Sequence, residues 1–338
     1  MQELELKNGN ILVTGAAGFI GAALCKRLLN ENCRVIGIDN LNNYYDVNLK
    51  IYRLDALKKF NNFTFIKCDI ADNDELKKIF DSHKPFIVVN LAAQAGVRYS
   101  IENPDVYINS NIVGFYNILE NCRHSENLKH LIFASSSSVY GANKKIPFAV
   151  GDMTDEPVSL YAATKKSDEL LAYAYNHLYK FPATGLRFFT VYGEAGRPDM
   201  AYFKFTDKLK AGQKIQIFNY GNCERDFTYI DDIIEGVYRV MKRPPENFKI
   251  YNIGGGQPEN LLDFVKVLQQ SLINAGVLPE NYDFEAHTEL LPMQAGDVPV
   301  TYADSSELEH DFNFTPKIKI QEGLKNFANW YAEYYGGK

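Results

Sequence analysis

Cysteine and histidine are scarce in this sequence of 338 residues, which contains five cysteines and six histidines. The cysteines, at positions 25, 33, 68, 122 and 223, are odd in number and form no C-x-x-C pair. A framework of disulfides is therefore not expected, and reduced thiols indicate a cytoplasmic protein. No H-x-x-x-H or H-E-x-x-H pattern occurs. The sequence accordingly predicts no catalytic metal site.

Long basic runs and long apolar runs are missing as well. Lysine and arginine number 36 against 42 aspartates and glutamates, which gives a formal net charge of −6. Without a basic patch, nucleic acid is not an expected partner. The first ten residues, MQELELKNGN, carry both charge signs and do not resemble a secretory signal. The uncharged stretch ILVTGAAGFIGAALC is shorter than the ~20 apolar residues that span a membrane, so no membrane partner is expected.

Short apolar segments alternate with helical patterns up to residue 190. Strands are predicted at 10–15, 34–40, 63–69, 86–93, 130–136 and 184–190, and helices at about 18–30, 73–83, 103–123 and 159–180. Apolar strands separated by helices favour an α/β fold, with a parallel sheet covered on both faces. Beyond residue 190 the pattern changes to loops, a helix near 260–275 and a final helix, with no linker between the two parts. We therefore expect residues 1–190 to form one domain, to which segments near 215–255 return, and 191–338 to form mainly a smaller, interleaved C-terminal α/β lobe.

A glycine-rich turn joins the first predicted strand to the first helix. Gly15, Gly18 and Gly21 have the spacing G-x-x-G-x-x-G. Because glycine has no Cβ, such a turn lets backbone N–H groups at a helix N-terminus approach a pyrophosphate. Glycines can also merely ease a turn, but a strand and a helix flank this motif, which favours a Rossmann-type, doubly wound sheet that binds a dinucleotide. Asp39 ends the next strand, where an acid binds a ribose 2′-hydroxyl and favours NAD over NADP.

The same pattern extends the predicted NAD site across the sheet. Asp69 and Ile70 end the third strand, where an adenine would lie, and the segment NLAAQAG would line the nicotinamide side. The residues assigned to NAD are Gly15, Gly18, Phe19, Ile20, Gly21, Asp39, Asn40, Asp69, Ile70, Leu91, Ala92, Ala93, Tyr161 and Lys165.

The segment LYAATKKSDELL places Tyr161 four residues before Lys165 on a predicted helix. Taken singly, a helical tyrosine usually packs in a core and a lysine usually lies at the surface. Here the pair follows a dinucleotide motif and a serine cluster, ASSSSVYG, at the end of a strand, where the active sites of open parallel sheets collect. Tyrosine has a reference pKa of about 10 and is a weak base at neutral pH, but a nearby ammonium and a nicotinamide cation favour the phenolate. We predict that Tyr161 and Lys165 transfer the proton of a sugar hydroxyl and that Ser136 hydrogen-bonds the same oxygen.

Together these elements resemble the extended short-chain dehydrogenase/reductase superfamily, and longer segments narrow the resemblance. The segments NLNNYYDVNLKIYRLDAL, YINSNIVGFYNILE, LRFFTVYG, GRPDMAYFKF and RDFTYIDDIIEGV are similar to those of UDP-glucuronate 4-epimerases of the CapI-like group. The resemblance implies an NAD-dependent 4-epimerase that interconverts UDP-glucuronate and UDP-galacturonate. In the implied reaction the C4 hydroxyl is oxidised, the 4-keto sugar rotates, and the hydride returns to the opposite face.

The resemblance also implies a set of substrate residues. Arg197 would bind the carboxylate, which suits a planar guanidinium, although a diphosphate or surface-loop role is an alternative. Arg225 would bind the diphosphate and Asp297 the ribose, while the alternative for the serines is hydrogen bonding within the turn. The implied substrate residues are Arg98, Ser136, Ser137, Ser138, Thr190, Arg197, Arg225 and Asp297.

Two features bear on the choice among related enzymes. Related dehydratases and decarboxylases commonly carry acids before VYG, where this chain has Ser137 and Ser138, which argues against 4,6-dehydration and, more weakly, against decarboxylation. The family usually reads GPWGRPDM, whereas this chain reads GEAGRPDM. The charge of Glu194, expected close to Arg197, would weaken carboxylate binding or alter loop closure. The alternatives are therefore a 4-epimerase of neutral or N-acetylated UDP-hexoses, a UDP-glucuronate decarboxylase and a catalytically silent dinucleotide-binding protein.

The helix predicted at 159–180 carries a broad apolar stripe that includes Leu160, Leu170, Leu171, Tyr175 and Leu178. Such a width indicates burial against another helix. Together with the family resemblance, the stripe predicts a homodimer that pairs the 103–123 and 159–180 helices.

Overall fold

A parallel β-sheet organises the computed structural model, which describes residues 3–293 and 300–336. The strands are β1 (Asn10–Thr14), β2 (Arg34–Asp39), β3 (Phe63–Lys67), β4 (Ile87–Asn90), β5 (His130–Ser136), β6 (Ala183–Phe188), β7 (Thr190–Tyr192), β8 (Ile215–Ile217), β9 (Glu224–Arg225), β10 (Phe227–Tyr229), β11 (Phe248–Ile253), β12 (Glu259–Asn260), β13 (Thr288–Leu290) and β14 (Val300–Thr301). The α-helices are α1 (Phe19–Asn30), α2 (Val47–Leu57), α3 (Asn73–His83), α4 (Tyr99–Glu102), α5 (Pro104–Tyr107), α6 (Gly114–Arg123), α7 (Leu160–Tyr179), α8 (Ala201–Lys210), α9 (Ile230–Lys242), α10 (Leu261–Asn274), α11 (Ser306–Phe312) and α12 (Ile320–Gly336). Seven strands form one sheet in the order β11–β6–β5–β4–β1–β2–β3, and all neighbours run parallel. The predicted α/β fold, a doubly wound parallel sheet, is confirmed.

Side-chain alternation explains why the sheet strands are apolar on both faces. Along β1, Ile11 and Val13 enter one buried cluster, whereas Leu12 enters the cluster on the opposite face. Successive strand residues point to opposite faces, so a strand that is covered on both sides needs apolar residues at every position. The continuous apolar runs in the sequence are therefore the mark of a core on each side of the sheet.

Helices complete the two cores. The cluster on one face includes α1 and α9, and the cluster on the other includes α3, α6 and α7. The first cluster continues into the C-terminal part, where Phe203 of α8 packs against Phe327 and Trp330 of α12. β11 returns to the main sheet beside β6, whereas β8 pairs with β13 outside it. The C-terminal lobe thus shares a core with the sheet, and the division into domains near residue 190 stays a prediction.

The helix predicted over 103–123 is interrupted. Asn103, with φ −134° and ψ 68°, separates α4 from α5, and residues Ile108–Val113 form a π-helix before α6. A π-helical turn accommodates an extra residue and often marks a functional site. Within this turn, Asn111 accepts a hydrogen bond from the Gln94 N–H at 2.8 Å and donates one to the Gln94 carbonyl at 3.0 Å. The turn therefore holds the loop that follows β4.

The carboxyl ends of β1 and β4 meet where the strand order reverses. From β1 the chain builds β2 and β3 on one side, then crosses to β4, β5 and β6 on the other. Open α/β sheets bind their ligands in the crevice at such a switch point. Among the residues with described coordinates, no helix has both the length and the apolar character needed to cross a membrane, and no group of three metal-ligating side chains occurs.

Candidate active site

A cavity of about 260 Å³ opens at the carboxyl ends of the central strands. Every residue predicted to bind NAD lies on its wall, and so do Ser136 and Arg197 of the predicted substrate set. Asp297 lies outside the described residues. The other predicted substrate residues lie off this wall, namely Arg98, Ser137, Ser138, Thr190 and Arg225. The roles of all these residues stay predictions.

The glycine turn is too tight for side chains. Gly15 has a φ of +69°, and a Cβ there would lie 2.9 Å from the backbone nitrogen of Ala92. A Cβ on Gly21 would lie 2.1 Å from the carbonyl oxygen of Gly15. Because α1 begins at Phe19, its first N–H groups lack intrahelical acceptors, and Phe19, Ile20 and Gly21 lie on the cavity wall. This cradle fits the pyrophosphate of a dinucleotide.

Asp39 is fixed by the glycine turn itself. Its carboxylate accepts a hydrogen bond from the Ala17 N–H at 3.1 Å and another from the Leu41 N–H at 2.8 Å. Lys50, also on the wall, donates to Asn42 at 2.8 Å. Burial lowers the pKa of Lys50, while the charge of Asp39 acts in the opposite direction. An anchored carboxylate accepts hydrogen bonds from ribose hydroxyls, so the residues present fit NAD.

The start of α7 positions Tyr161 and Lys165. Ser159 caps the helix by accepting a hydrogen bond from the Ala162 N–H at 3.1 Å. Tyr161 therefore lies in the first turn, and Lys165 follows one turn later on the same side. The ring of Tyr161 packs edge-on against Tyr107, with centroids 6.0 Å apart and an interplanar angle of 72°. Both residues of the predicted pair face the cavity.

Ser136 ends β5 and is oriented by its neighbour. Its Oγ accepts hydrogen bonds from the N–H of Ser138 at 3.2 Å and from the hydroxyl of Ser138 at 2.9 Å. A hydroxyl has two acceptor positions and one proton, so the proton of Ser136 remains for a donor role in the cavity. The serine cluster thus supplies both a wall residue and its support.

Arg197 is presented by the loop between β7 and α8. Its Nε donates to Oδ1 of Asp199 at 3.0 Å and its Nη2 to Oδ2 at 2.5 Å. Tyr44 donates to the same carboxylate at 3.2 Å. Burial would raise the pKa of Asp199, but the hydrogen bonds and charge of Arg197 outweigh it and hold that pKa below its ordinary value. The guanidinium already has a carboxylate partner in the two-bond geometry.

The recorded partner of Glu194 is a tyrosine, and its closeness to Arg197 stays a prediction. The Glu194 carboxylate accepts a hydrogen bond from the hydroxyl of Tyr229, which also accepts one from Asn326 at 3.2 Å. The carboxylate beside Arg197 is that of Asp199. Glu194 and Arg197 thus have separate hydrogen-bond partners.

Arg53 joins the two halves of the site and is absent from the sequence prediction. This buried guanidinium donates to the carbonyls of Ala195 at 2.9 and 2.6 Å, of Gly196 at 2.9 Å and of Ala17 at 2.9 Å. It also donates to the hydroxyl of Tyr45 at 2.8 Å. Arg53 thus ties the glycine turn to the loop that carries Arg197. Its signal in the sequence was an arginine among the apolar positions of α2.

The segment around Arg225 is built by short strands. Arg225 lies in β9, between β12 and β14, and donates to the Glu224 carbonyl at 2.9 Å. The next residue, Asp226, accepts hydrogen bonds from the N–H groups of Gly255 at 2.7 Å and Ala303 at 3.0 Å. Asp226 therefore braces the loops that contain Gly255 and Ala303. Arg98 is exposed, 5.9 Å from the ring centroid of Phe218.

Comparisons with known proteins agree with this arrangement. The model of the NAD dependent epimerase/dehydratase family matches residues 11–254. The chain is 50% identical to the Protein CapI of Staphylococcus aureus, over 96% of this chain and 99% of that one. It is 44% identical to the probable UDP-glucuronate 4-epimerase of Rhizobium meliloti, over 96% of this chain and 97% of that one. The structure matches UDP-glucuronic acid 4-epimerase from Bacillus cereus, solved with UDP-glucuronic acid and NAD, with a TM-score of 0.86 and 33% identity over 96% of this chain and 100% of that one. The chain therefore belongs to the NAD-dependent epimerase/dehydratase family.

Proposed function

We propose that this protein is an NAD-dependent 4-epimerase that interconverts UDP-glucuronate and UDP-galacturonate through a 4-keto intermediate. The observation that carries the proposal is that Tyr161, Lys165 and Ser136 share one cavity wall with the glycine turn and Asp39. Oxidation of an alcohol needs a proton-transfer group beside a hydride acceptor, and this arrangement provides both. Similarity to uronate epimerases supports glucuronate as the sugar.

The chain's own residues supply the binding of NAD. The N–H groups at the start of α1 would hold the pyrophosphate, and Asp39 would accept hydrogen bonds from the ribose. Asp69, Ile70 and residues 91–93 line the cavity, where the first two would lie beside the adenine and the others beside the nicotinamide. When bound, NAD supplies the hydride acceptor for C4 and then the hydride donor.

Tyr161 removes the proton of the C4 hydroxyl and returns a proton to the same oxygen after the 4-keto sugar has rotated in the site. The ammonium of Lys165 favours the phenolate form that accepts this proton. Ser136 donates a hydrogen bond to the same sugar oxygen, because both of its acceptor positions are taken by Ser138. In this proposal Tyr161 transfers the proton, Lys165 stabilises the phenolate and Ser136 orients the sugar oxygen.

A uronate substrate adds a chemical problem, because oxidation at C4 produces a β-keto acid that readily loses CO₂. We assign the carboxylate to Arg197: Asp199 takes its Nε–H and one Nη2–H, and the remaining guanidinium N–H groups would bind the substrate carboxylate. A carboxylate held in this way stays charged and fixed, so that C–C cleavage is disfavoured.

The remaining substrate residues are proposed on the family resemblance. Ser137, Ser138 and Thr190 would surround the sugar, Arg225 would bind the diphosphate, and Arg98 would also contact the substrate. Asp297 would bind the ribose of the uridine. Residues 191–338 would then be mainly the UDP-sugar lobe, and residues 1–190 mainly the NAD domain. We also propose a cytoplasmic location, where the five free cysteines stay reduced.

The test is to incubate the purified protein, without added NAD, with UDP-glucuronate, UDP-glucose or UDP-N-acetylglucosamine and to follow the products by proton NMR. We expect UDP-galacturonate from the acid alone, because the cofactor is regenerated in each turnover. A UDP-pentose with CO₂ would identify a decarboxylase, and turnover of neutral sugars alone would identify a hexose epimerase. Retained NAD with no turnover of any sugar would identify a silent dinucleotide-binding protein.

The surface of α7 and the neighbouring helices supports a homodimer. Tyr116 of α6 packs against Tyr175 of α7, so the two helices form one surface. Apolar side chains exposed in this region mark an interaction site, and a two-fold pairing of the surface would bury them. The exposed apolar residues are Ile101, Ile108, Val113, Tyr116, Leu170, Tyr173 and Leu178.

Charges placed on this surface are expected to produce a monomer. In the double variant Leu170→Glu/Leu178→Glu, each dimer would bury four carboxylates without partners, which is unfavourable. Light scattering at micromolar concentration is expected to give the mass of two chains for the wild type and of one chain for the variant. Leu290→Glu, at a position of similar exposure on β13 (47%), is the control and stays dimeric. A monomeric wild type would contradict the proposed dimer.

A further inference from the structure

The ammonium group of Lys165 is held inside the protein by Asp168, one turn further along α7. Nζ of Lys165 lies 2.9 Å from Oδ2 of Asp168, and the two side chains are 3% and 2% exposed. Within the described part of the chain, Asp168 is the carboxylate recorded at ion-pair distance from Lys165. An ammonium has three donors, so two remain for the cavity side. The pair links the cavity wall to a carboxylate that the proposed reaction does not use.

The second oxygen of Asp168 lacks a hydrogen-bond donor. Among the described residues, Oδ1 is one of two buried side-chain atoms without a partner. Burial raises the pKa of Asp168 to about 6, although the charge of Lys165 acts in the opposite direction. A buried, half-satisfied carboxylate costs free energy. Because the buried carboxylate of Asp168 costs free energy, its presence needs an explanation, and an effect on the adjacent Lys165 supplies one.

Other charged groups near α7 are committed elsewhere. On the helix itself, Glu169 forms two hydrogen bonds of 2.8 Å with Arg187 of β6. On the elements packed against α7, the carboxylates of Glu102 on α4 and Asp105 on α5 are exposed, and the thiol of Cys122 on α6 is buried. The other titratable groups there have recorded partners different from Asp168. These others are Tyr99 on α4, Tyr107 on α5, Tyr116, Glu120 and Arg123 on α6, His130 on β5, Tyr140 after β5, Arg187 on β6, and Lys249 and Tyr251 on β11. Asp168 is thus the group placed to act on Lys165.

We propose that Asp168 is a positioning residue for the proton-transfer pair: it fixes the Lys165 ammonium and, by offsetting part of its charge, sets the pH range over which Tyr161 ionises. The inference rests on the roles proposed above for Tyr161 and Lys165. Tyr161 and Asp168 are seven residues apart, about 10 Å along the helix axis. At an effective dielectric constant of about 20, one charge at that distance changes an ionisation equilibrium roughly tenfold.

The first test compares Asp168→Asn with the wild type in the pH dependence of kcat/KM for UDP-glucuronate. The amide oxygen still accepts from Lys165, but the negative charge is gone, so the phenolate of Tyr161 becomes more favourable. The acid limb of the profile is expected to move to lower pH by about one unit. Asp207→Asn is the matched control, since Asp207 accepts a hydrogen bond from Tyr331 at 2.7 Å away from the cavity, and its acid limb stays in place. An unmoved acid limb in Asp168→Asn would overturn the proposal even if kcat falls, because a purely structural residue lowers activity without moving the profile.

A direct titration separates this proposal from the proposed function. Tyrosine labelled with ¹³C at Cζ reports ionisation by NMR, and Tyr161→Phe identifies the signal of Tyr161. The signal is expected to titrate at lower pH in Asp168→Asn than in the wild type, whether or not the sugar turns over. A shifted titration in a protein that does not epimerise would refute the proposed function and support the role of Asp168. Equal titrations would overturn the role of Asp168 whatever the activity.

Thermal unfolding tests the ion pair between Lys165 and Asp168 in variants that need not be active. Lys165→Met leaves the Asp168 carboxylate buried without its cation, so the Tm is expected to fall. A carboxyl with a raised pKa in the folded state destabilises the protein as pH rises through that pKa, so the fall is expected to be larger at about pH 8 than at about pH 5. Adding Asp168→Asn to Lys165→Met is expected to restore most of the lost Tm. Equal Tm values for the single and double variants at about pH 8 would overturn the proposal.

Discussion

Replacing Tyr161 by phenylalanine is expected to lower kcat for UDP-glucuronate by about 10³-fold, while NAD stays bound. The phenol is the group on the cavity wall to which we assign the C4 proton, and the phenyl ring that replaces it has no oxygen to accept that proton. The phenyl ring that remains still packs edge-on against Tyr107, so the start of α7 keeps its place. The loss should therefore appear in the chemical step, with little change in Tm.

Initial rates of UDP-galacturonate formation, measured by NMR, and the absorbance of bound NAD give the two quantities needed. Tyr173→Phe is the control, because Tyr173 is on the same helix but is 56% exposed. We expect it to keep the wild-type rate. If Tyr161→Phe also kept that rate, another group would handle the proton and the assignment of the active site would be wrong.

The NAD half of the site could be predicted because its determinants are close together in the sequence. Gly15, Gly18 and Gly21 define one turn between a strand and a helix, and Asp39 ends the adjacent strand. Tyr161 and Lys165 are related by a single helical turn. Short spacings of this kind determine which side chains share one face of a turn or helix. In the structure the three glycines, Asp39, Tyr161 and Lys165 all line the same cavity.

The sequence predicted no bounds for helix α9 or strand β11, because their sequence patterns are mixed or depend on distant partners. Asp231 and Asp232 lie in the first turn of α9, and these acids within RDFTYIDD precede the apolar residues Ile233 and Ile234, so that polar and apolar signals are mixed there. Strand β11 was missed because its partner β6 lies far away in the chain, so that pairing rather than local pattern defines it. Both elements depend on contacts that only the folded chain supplies.

The surroundings of Arg197 could not be predicted for the same reason. Tyr44 and Asp199 are 155 positions apart, and Arg53 and Ala195 are 142 positions apart, yet each pair shares a hydrogen bond. The hydrogen bond from Tyr229 to Glu194 likewise joins residues that are 35 positions apart. Ala195 has a φ of +48°, in the left-handed region, and this turn of the backbone lies between Glu194 and Arg197. A reversal of that kind is not visible in the letters GEAGRPDM.

Replacing Arg197 by methionine is expected to lower kcat/KM for UDP-glucuronate by about 10²-fold, since the guanidinium assigned to the substrate carboxylate is lost. The substitution also leaves Asp199 without the cation that holds its pKa down. The double variant Arg197→Met/Asp199→Asn removes that unpaired carboxylate, and its Tm is expected to be higher than that of Arg197→Met. The loss of kcat/KM should persist in the double variant, because it belongs to the substrate carboxylate.

The Kd values of UDP-glucuronate and UDP-glucose, measured by calorimetry, locate the group that Arg197 binds. We expect Arg197→Met to weaken binding of the acid far more than binding of the neutral sugar, and NMR to reveal some UDP-pentose as the freed carboxylate is lost. Arg239→Met, which removes an arginine paired with Glu235 on α9, is the control and changes neither Kd. Equal losses for both ligands would instead assign Arg197 to the diphosphate, which the two sugars share. A difference between the ligands can arise only at C6, and it would place the uronate carboxylate against this guanidinium.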